Sequence, residues 1–283
     1  MRRRTCGYRD EMAGAVRIGT SGWAYKSWRG DFYPKGLRQR DELAHLAGLM
    51  SSVEINGSFY SLQRASSYRS WVEQTPEDFV FAVKGSRYVT HLLQLREPAQ
   101  ALANFFASGV LELRHKLGPV LWQLPARTRF DPDRLAAFFD LLPRTTKAVA
   151  ELAADHDERV KDPALDPYDD RPVRHVVEVR HDSFRDPAFP ALLRDHGIGL
   201  VVSDGAGEWV VLDDVTSDVV YVRLHGPEVL YHGGYDDALL DAWADRVRHW
   251  SGDAVGADVY VYFDNDADRR APHDALALME RLR

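Results

Sequence analysis

The chain has 283 residues, 45% of them hydrophobic, and a formal charge of −7 at pH 7. This is enough apolar material for a substantial core, and it leaves no global positive field to draw in nucleic acid or an anionic membrane. The lone cysteine, Cys6, excludes an intrachain disulfide and a cysteine-based zinc site, and no apolar run approaches the roughly 20 residues that span a bilayer. The start, MRRRTCGYRDEMAG, has no apolar stretch behind its arginines and no periodicity. Residues 1–14 therefore read as a disordered tail rather than a secretory signal, with Met12 as good a start as Met1. A cytoplasmic location is expected, with residues 15–283 forming one domain.

Extended apolar runs begin with VRIGTSGW from Val16, SSVEINGSFY from Ser51, FVFAVKGSRY from Phe79 and PVLWQLP from Pro119. VRHVVEVRH from Val173, GLVVSDG from Gly199, VVYVRLHG from Val219 and VYVYFDND from Val259 follow. Amphipathic helical stretches separate most of them. RASSYRSWVEQT follows the second run and PAQALANFFASGVLELRHKLG the third. DPDRLAAFFDLLP follows the fourth, with Asp131 as N-cap and Pro132 in the first turn. PAFPALLRDHG ends on Gly197, a C-cap, and DALLDAWADRVRHW precedes the eighth run. APHDALALMERL closes the chain, with Asp266 expected to cap it. After the sixth run comes EWVVLDDVTSD, which has no helical pattern.

Strands alternating with helices call for parallel pairing, and eight such units without a linker fit a (β/α)8 TIM barrel with a degenerate crossover after the sixth strand. An open doubly wound sheet is the alternative, but GTSGW lacks the glycine pattern of a phosphate loop. In a barrel, period two sorts each strand into a face toward the helices and a face toward the lumen. Glu54 and Asn56 then point inward on the second strand, Lys84 on the third and Gln123 on the fourth. Glu178 and Arg180 do so on the fifth, Tyr221, Arg223 and His225 on the seventh, and Asp264 on the eighth. The sixth ends in Ser203 and Asp204, and the pattern does not say which of the two points in.

Carboxylates, cations and a histidine gathered at one mouth are too costly to bury without pairing or a ligand. Glu54, Glu178 and His225 are the acid–base candidates, and Lys84, Arg180 and Arg223 would hold an anion. A plug of mutually neutralising charges is the bland reading of the same set. Lysine is scarce, six among 36 basic residues, so Lys84 stands out as a compact charge for phosphate or carboxylate, or as an amine able to form a Schiff base. Aromatic side chains crowd the rim, with Trp23, Tyr25 and Trp28 after the first strand, Phe59 and Tyr60 after the second, and Tyr88 after the third. Tyr231 and Tyr235 follow the seventh. Such rings suit a sugar or a nucleobase, and some will simply pack loops.

In this order, IGTSGWAYKSW, VEINGSFY, FAVKGSRYVTH, LGPVLWQLP, VEVRHDSF, YVRLHGP and YFDND…AP resemble the DUF72 family, also called YecE-like proteins. The resemblance covers nearly everything from Val16 onward. It implies a TIM barrel and no particular activity, since fold does not fix function. His91 and His181, in the third- and fifth-strand motifs, join Asn265 as candidate ligand contacts. The family usually has Asn-Asn where this chain has Asp264-Asn265, and Trp where it has Phe184, so a metal role for Asp264 would not be a family trait.

The reading favoured by these residues is an enzyme acting on a small anionic or sugar-like molecule, with no cofactor assigned. A metal-dependent phosphodiesterase or nuclease is the alternative, its divalent ion held by Glu178, Asp204, His225 and Asp264. The third is a non-catalytic protein that binds a ligand or nucleic acid through its aromatic rim.

Overall fold

The structure, a computed structural model, describes residues 14–283. The disordered tail expected over residues 1–14 falls outside the described residues except for Gly14, whose N–H donates to Ser251 O at 2.8 Å. Eight parallel strands, β1 (Val16–Thr20), β2 (Ser52–Ile55), β3 (Val80–Lys84), β4 (Leu117–Gln123), β5 (His175–Glu178), β6 (Gly199–Asp204), β7 (Val219–Leu224) and β8 (Asp258–Phe263), pair in the ring order β1-β8-β7-β6-β5-β4-β3-β2. The ring closes between β1 and β2, where Ser21 bridges Glu54 and the Gly22 N–H donates to Glu54 O at 2.9 Å. Gly19 permits this approach, since a Cβ there would stand 1.9 Å from Ser52 O. The expected (β/α)8 barrel is the observed one.

Helices α1 (Glu42–Ala47), α2 (Gly57–Tyr60), α3 (Ala65–Glu73), α4 (Ala99–Ala107), α5 (Pro132–Asp140), α6 (Thr146–Ala154), α7 (Ala188–Asp195), α8 (Asp237–Ser251) and α9 (Ala271–Arg281) surround the strands. Asp131 caps α5 as expected, its Oδ1 accepting from the Arg134 N–H at 3.1 Å. Three expectations change. The single helical stretch after β3 breaks at Gly109, whose φ of 135° is not helical, and continues as 3-10 turns over Val110–Lys116. Helices α1, α2 and α6 were not anticipated, being short or polar at their starts. Asp266 does not cap α9; the helix begins after Arg270, and the Asp266 carboxylate accepts instead from Trp28 Nε1. The crossover after β6 carries no helix, as its sequence suggested.

Two apolar clusters mark the two faces of the sheet. Val53, Ile55, Phe81, Val83, Val177, Val202, Val220, Val222 and Val259 pack outward against the helices. Ala82, Leu121, Val176, Val201, Val219, Tyr221, Tyr260 and Tyr262 fill the lumen. Inward phase is thus continuous from this apolar plug to the polar strand ends above it. On β6 the lumen residue Val201 places Ser203 inside and Asp204 outside.

Candidate functional site

Arg223, near the end of β7, is fully buried and spreads its guanidinium across the mouth. Its Nε donates to Glu54 Oε2 at 3.1 Å and its Nη2 to Glu54 Oε1 at 3.0 Å, a two-point pairing from strand to strand. Nη1 donates to Glu178 Oε2 at 2.8 Å and to His225 Nε2 at 3.2 Å. Nη2 also reaches Ser21 Oγ at 2.9 Å and Asp264 Oδ2 at 3.1 Å. Every guanidinium N–H therefore has an acceptor. Because arginine can only donate, its contact makes His225 Nε2 an accepting nitrogen; the buried Nδ1 lies 3.0 Å from Asp264 Oδ2 without forming a hydrogen bond among the described residues.

The carboxylates are equally occupied. Glu54 accepts from Ser21 Oγ and, at 2.6 Å, from the Tyr221 hydroxyl. Glu178 Oε1 accepts from Arg180 Nε at 2.8 Å. Burial alone would push the Glu178 carboxyl up, but Arg180 and Arg223, with His225, hold it well below the usual carboxylate range. Burial likewise opposes ionisation of Asp264, yet Arg223 and His225 bring it down to about 2. Carboxylates held this far below neutrality are poor proton acceptors. The acid–base role expected of Glu178 therefore does not suit its surroundings.

The end of β3 is different. Lys84 is buried at 8% exposure, and its Nζ lies 4.6 Å from the centroid of the Phe59 ring. Among the described residues no hydrogen bond or ion pair reaches that Nζ. Burial, then the charge of Arg223, pushes the amine down to about 8 despite the pull of Glu54, Glu178 and Asp264. His91 packs edge-on against the same Phe59 ring, with centroids 5.1 Å apart, and its Nδ1 lies 2.9 Å from Thr90 Oγ1. Burial and the nearby cations, Lys84 first among them, lower His91 to about 4, so its ring is neutral at pH 7.

Trp209 returns from the helix-free crossover over the mouth. Its Nε1 donates to Ser203 Oγ at 3.0 Å, and its ring lies 4.0 Å from Arg180 Cζ and meets His225 edge-on at 5.3 Å. Gly205 makes room for it, because a Cβ there would stand 2.0 Å from Trp209 Cε2.

The mouth thus brings Glu54, Glu178, Arg180, Arg223, His225 and Asp264 into direct contact, with Lys84 close enough to exchange charge effects with Arg223 and Asp264. Gln123, buried at the end of β4, pairs in register with Glu178. Tyr25 donates to Ser21 O at 2.6 Å, and Asn56 Nδ2 to Ser21 Oγ at 2.8 Å. With Trp23 these two line a cavity of ≈ 240 Å³ on the β1–β2 flank. Tyr60 and Tyr88 line another of ≈ 310 Å³ toward β3. A roomier cavity of ≈ 510 Å³ lies behind this rim between Gln63 and Lys161, and none of the converging carboxylates lines it.

Two expected ligand contacts, His181 and Asn265, and the expected metal ligand Asp204 make contacts within the scaffold. His181 caps the turn after β5, accepting from the Ser183 N–H at 3.0 Å. Asn265 ties down the loop after β7, donating to Gly233 O at 2.9 Å and Asp274 Oδ2 at 2.7 Å. Asp204 Oδ2 accepts from the Tyr235 hydroxyl at 3.0 Å, away from the lumen. The alternative metal set is therefore not assembled: among the described residues no group of three or more His, Cys, Asp and Glu is arranged to hold an ion. Glu178, His225 and Asp264 instead surround the guanidinium of Arg223, which takes a cation's place. Arg223 is likewise no free anion fork, because its donors are committed to carboxylates. Ser21 and Trp209 were missed; the period-two count on β1 finds Ser21, whereas nothing periodic marks Trp209.

A family model described as "Protein of unknown function DUF72" matches residues 17–283. UPF0759 protein YunF of Bacillus subtilis (strain 168) is 29% identical over 115 residues, covering 39% of this chain and 40% of that protein. UPF0759 protein YecE of Escherichia coli (strain K12) is 30% identical over 131 residues, covering 45% of this chain and 44% of that protein. The alignments thus span less than half the length of these curated relatives. Among solved structures, a DUF72 family protein (TM1631) from Thermotoga maritima superposes with a TM-score of 0.75 at 25% identity, covering 95% of this chain and 99% of that one. A DUF72 family protein (EF0366) from Enterococcus faecalis gives 0.70 at 16% identity, covering 94% and 95%, a likeness of fold alone. Among the described residues no helix is long and apolar enough to cross a membrane.

Proposed function

Because this chain belongs to the DUF72 family, whose description assigns no activity, we propose from the barrel mouth itself that the protein is an enzyme acting on a small anionic or sugar-like molecule. The observation that carries this reading is Lys84, a side chain 8% exposed in a polar mouth, whose ammonium has no hydrogen-bond or ion-pair partner among the described residues. A largely buried side chain whose charge lacks an ion-pair partner costs stability, and proteins that keep one commonly use it on a ligand. Lys84 would meet the ligand's anionic or carbonyl oxygen. Neutral His91, against the same aromatic ring, would be within the same sector to move a proton. The Arg223–carboxylate cluster would form a rigid, charge-balanced floor.

The rim supports the ligand's size and kind. Tyr60 and Tyr88 are 70% and 44% exposed, offering ring faces at the entrance, and Asn56 Oδ1 is a buried acceptor without a partner. A hydroxylated ligand answers both features. The test is thermal stabilisation by a panel of phosphate, sugar phosphates, aldoses, ketoses and 2-oxo acids, in wild type and in Lys84→Met. At least one compound should stabilise wild type by mass action and lose that effect in the variant. A flat response of wild type to the whole panel would reject the reading. Stabilisation without any consumption of the compound would leave a binding protein in its place.

A further inference from the structure

We infer that Lys84 captures its ligand covalently, forming an imine with the carbonyl carbon of a hydroxylated aldehyde or ketone. This rests on the small-molecule reading of the mouth and adds the substrate class. Amines become nucleophiles when desolvated against apolar surface or placed beside another cation. Lys84, 8% exposed and with Arg223 as a cationic neighbour, meets these conditions well enough that burial and Arg223 outweigh the attraction of the Phe59 ring 4.6 Å from its Nζ. The carboxylates that would otherwise tether an ammonium are taken, Glu54 and Asp264 by Arg223 and Glu178 by Arg223 and Arg180. The amine is free to turn toward a carbonyl.

The chemistry closes without an outside reagent. The neutral amine attacks the carbonyl carbon; the C–N bond forms while the π pair moves to oxygen, which takes up a proton as the nitrogen gives one up, leaving a neutral carbinolamine with the nitrogen lone pair restored. The C–O bond then breaks, oxygen leaves as water with a second proton, and the nitrogen lone pair forms the C=N bond. Counted from the ammonium, one carbonyl compound enters, one water leaves, and the nitrogen remains positively charged. That conserved charge matters here. Glu54, Glu178 and Asp264 face Lys84, Arg180 and Arg223, so a protonated imine preserves the balance of three against three. Neutral His91 in the same sector can relay the protons of the carbinolamine step.

The experiment is reductive trapping of the full chain at pH 7 with cyanoborohydride and, separately, glyceraldehyde, dihydroxyacetone and pyruvate, read by intact mass and peptide mapping. Lys84 should acquire the reduced adduct at least about tenfold faster than the other lysines, because its amine is far more often neutral. Lys84→Met should lose that fast phase, and Lys84→Arg, which keeps the charge, should lose it too. Adducts spread evenly over the lysines, or slowest at Lys84, would overturn the inference. Thermal stabilisation by the same compounds with no adduct at Lys84 would overturn the imine while leaving the small-molecule site standing. Neither adduct nor stabilisation would remove both.

Discussion

Where β2, β5, β7 and β8 end, Arg223 is enclosed by Glu54, Glu178 and Asp264, and every donor on it has an acceptor. Where β3 ends, Lys84 rests on an aromatic ring with no hydrogen-bond or ion-pair partner among the described residues. Both cations are buried in the same mouth, yet only one is neutralised by direct contact. Pairing offsets the cost of burial and at the same time removes chemistry, since Glu178 and Asp264, held low beside Arg223, are poor proton acceptors near neutrality. An unpaired amine is costly to bury and titrates where it is useful. Under the proposed function the Arg223 sector is architecture and the Lys84 sector is where a ligand would be met.

The largest expected effect separates the two at once. Arg223→Met should cost about 3–5 kcal/mol, because it strands buried carboxylates without their cation. The loss is read from the midpoint of urea unfolding, and a change under about 1 kcal/mol would mean that water or protonation replaces the guanidinium easily.

Lys84→Met should move stability the other way. The amine's folded value of about 8 lies below its ordinary 10.5, so folding carries a penalty below pH 8 that is relieved as pH rises toward 10.5. The variant should be more stable than wild type at pH 7, by up to about 3 kcal/mol, and the advantage should vanish near pH 10.5. A less stable variant at pH 7 would show that Lys84 is a structural cation after all.

A smaller effect concerns acid. Asp264 is held at about 2 against an ordinary 3.8, so its contribution is complete above pH 3.8 and disappears as pH falls through 2. Asp264→Asn should remove about 2 kcal/mol of wild-type acid sensitivity across that window, measured as the difference in unfolding free energy between pH 5 and pH 2. Parallel pH curves for the two proteins would place the acid-labile contact elsewhere. The smallest effect is at the rim. Tyr60, 70% exposed, should tolerate Tyr60→Ser within about 0.5 kcal/mol, while stabilisation by a bound ligand weakens. Unchanged ligand stabilisation would take Tyr60 out of the binding surface.

Much of this was legible in one dimension. Alternation along SSVEINGSFY put Val53 and Ile55 toward the helices and Glu54 toward the lumen, and the structure keeps that phase. The same count placed Arg223, His225, Glu178 and Asp264. It was equally able to place Ser21, had it been applied to β1. Elsewhere the local signal was weak. The helical run after β3 looked continuous because its apolar spacing continues past Gly109, where a Cβ would stand 2.7 Å from Ala65 Cα. Trp209 sits in a crossover without period two or 3.6, so no rule of spacing could bring it over His225.

By itself the sequence determined the barrel and the inward phase of its strands, because burial on alternate residues is a property of neighbouring positions in one chain. Pairing was decided only in three dimensions. Arg223 meets Glu54 across 169 positions and Glu178 across 45, and donors and acceptors separated this far can be matched only once the ring has closed. That matching is also what sets Lys84 apart: the charges at the mouth balance in number, but a guanidinium with five N–H donors satisfies several carboxylates at once and, among the described residues, leaves the compact ammonium on β3 without an ion pair.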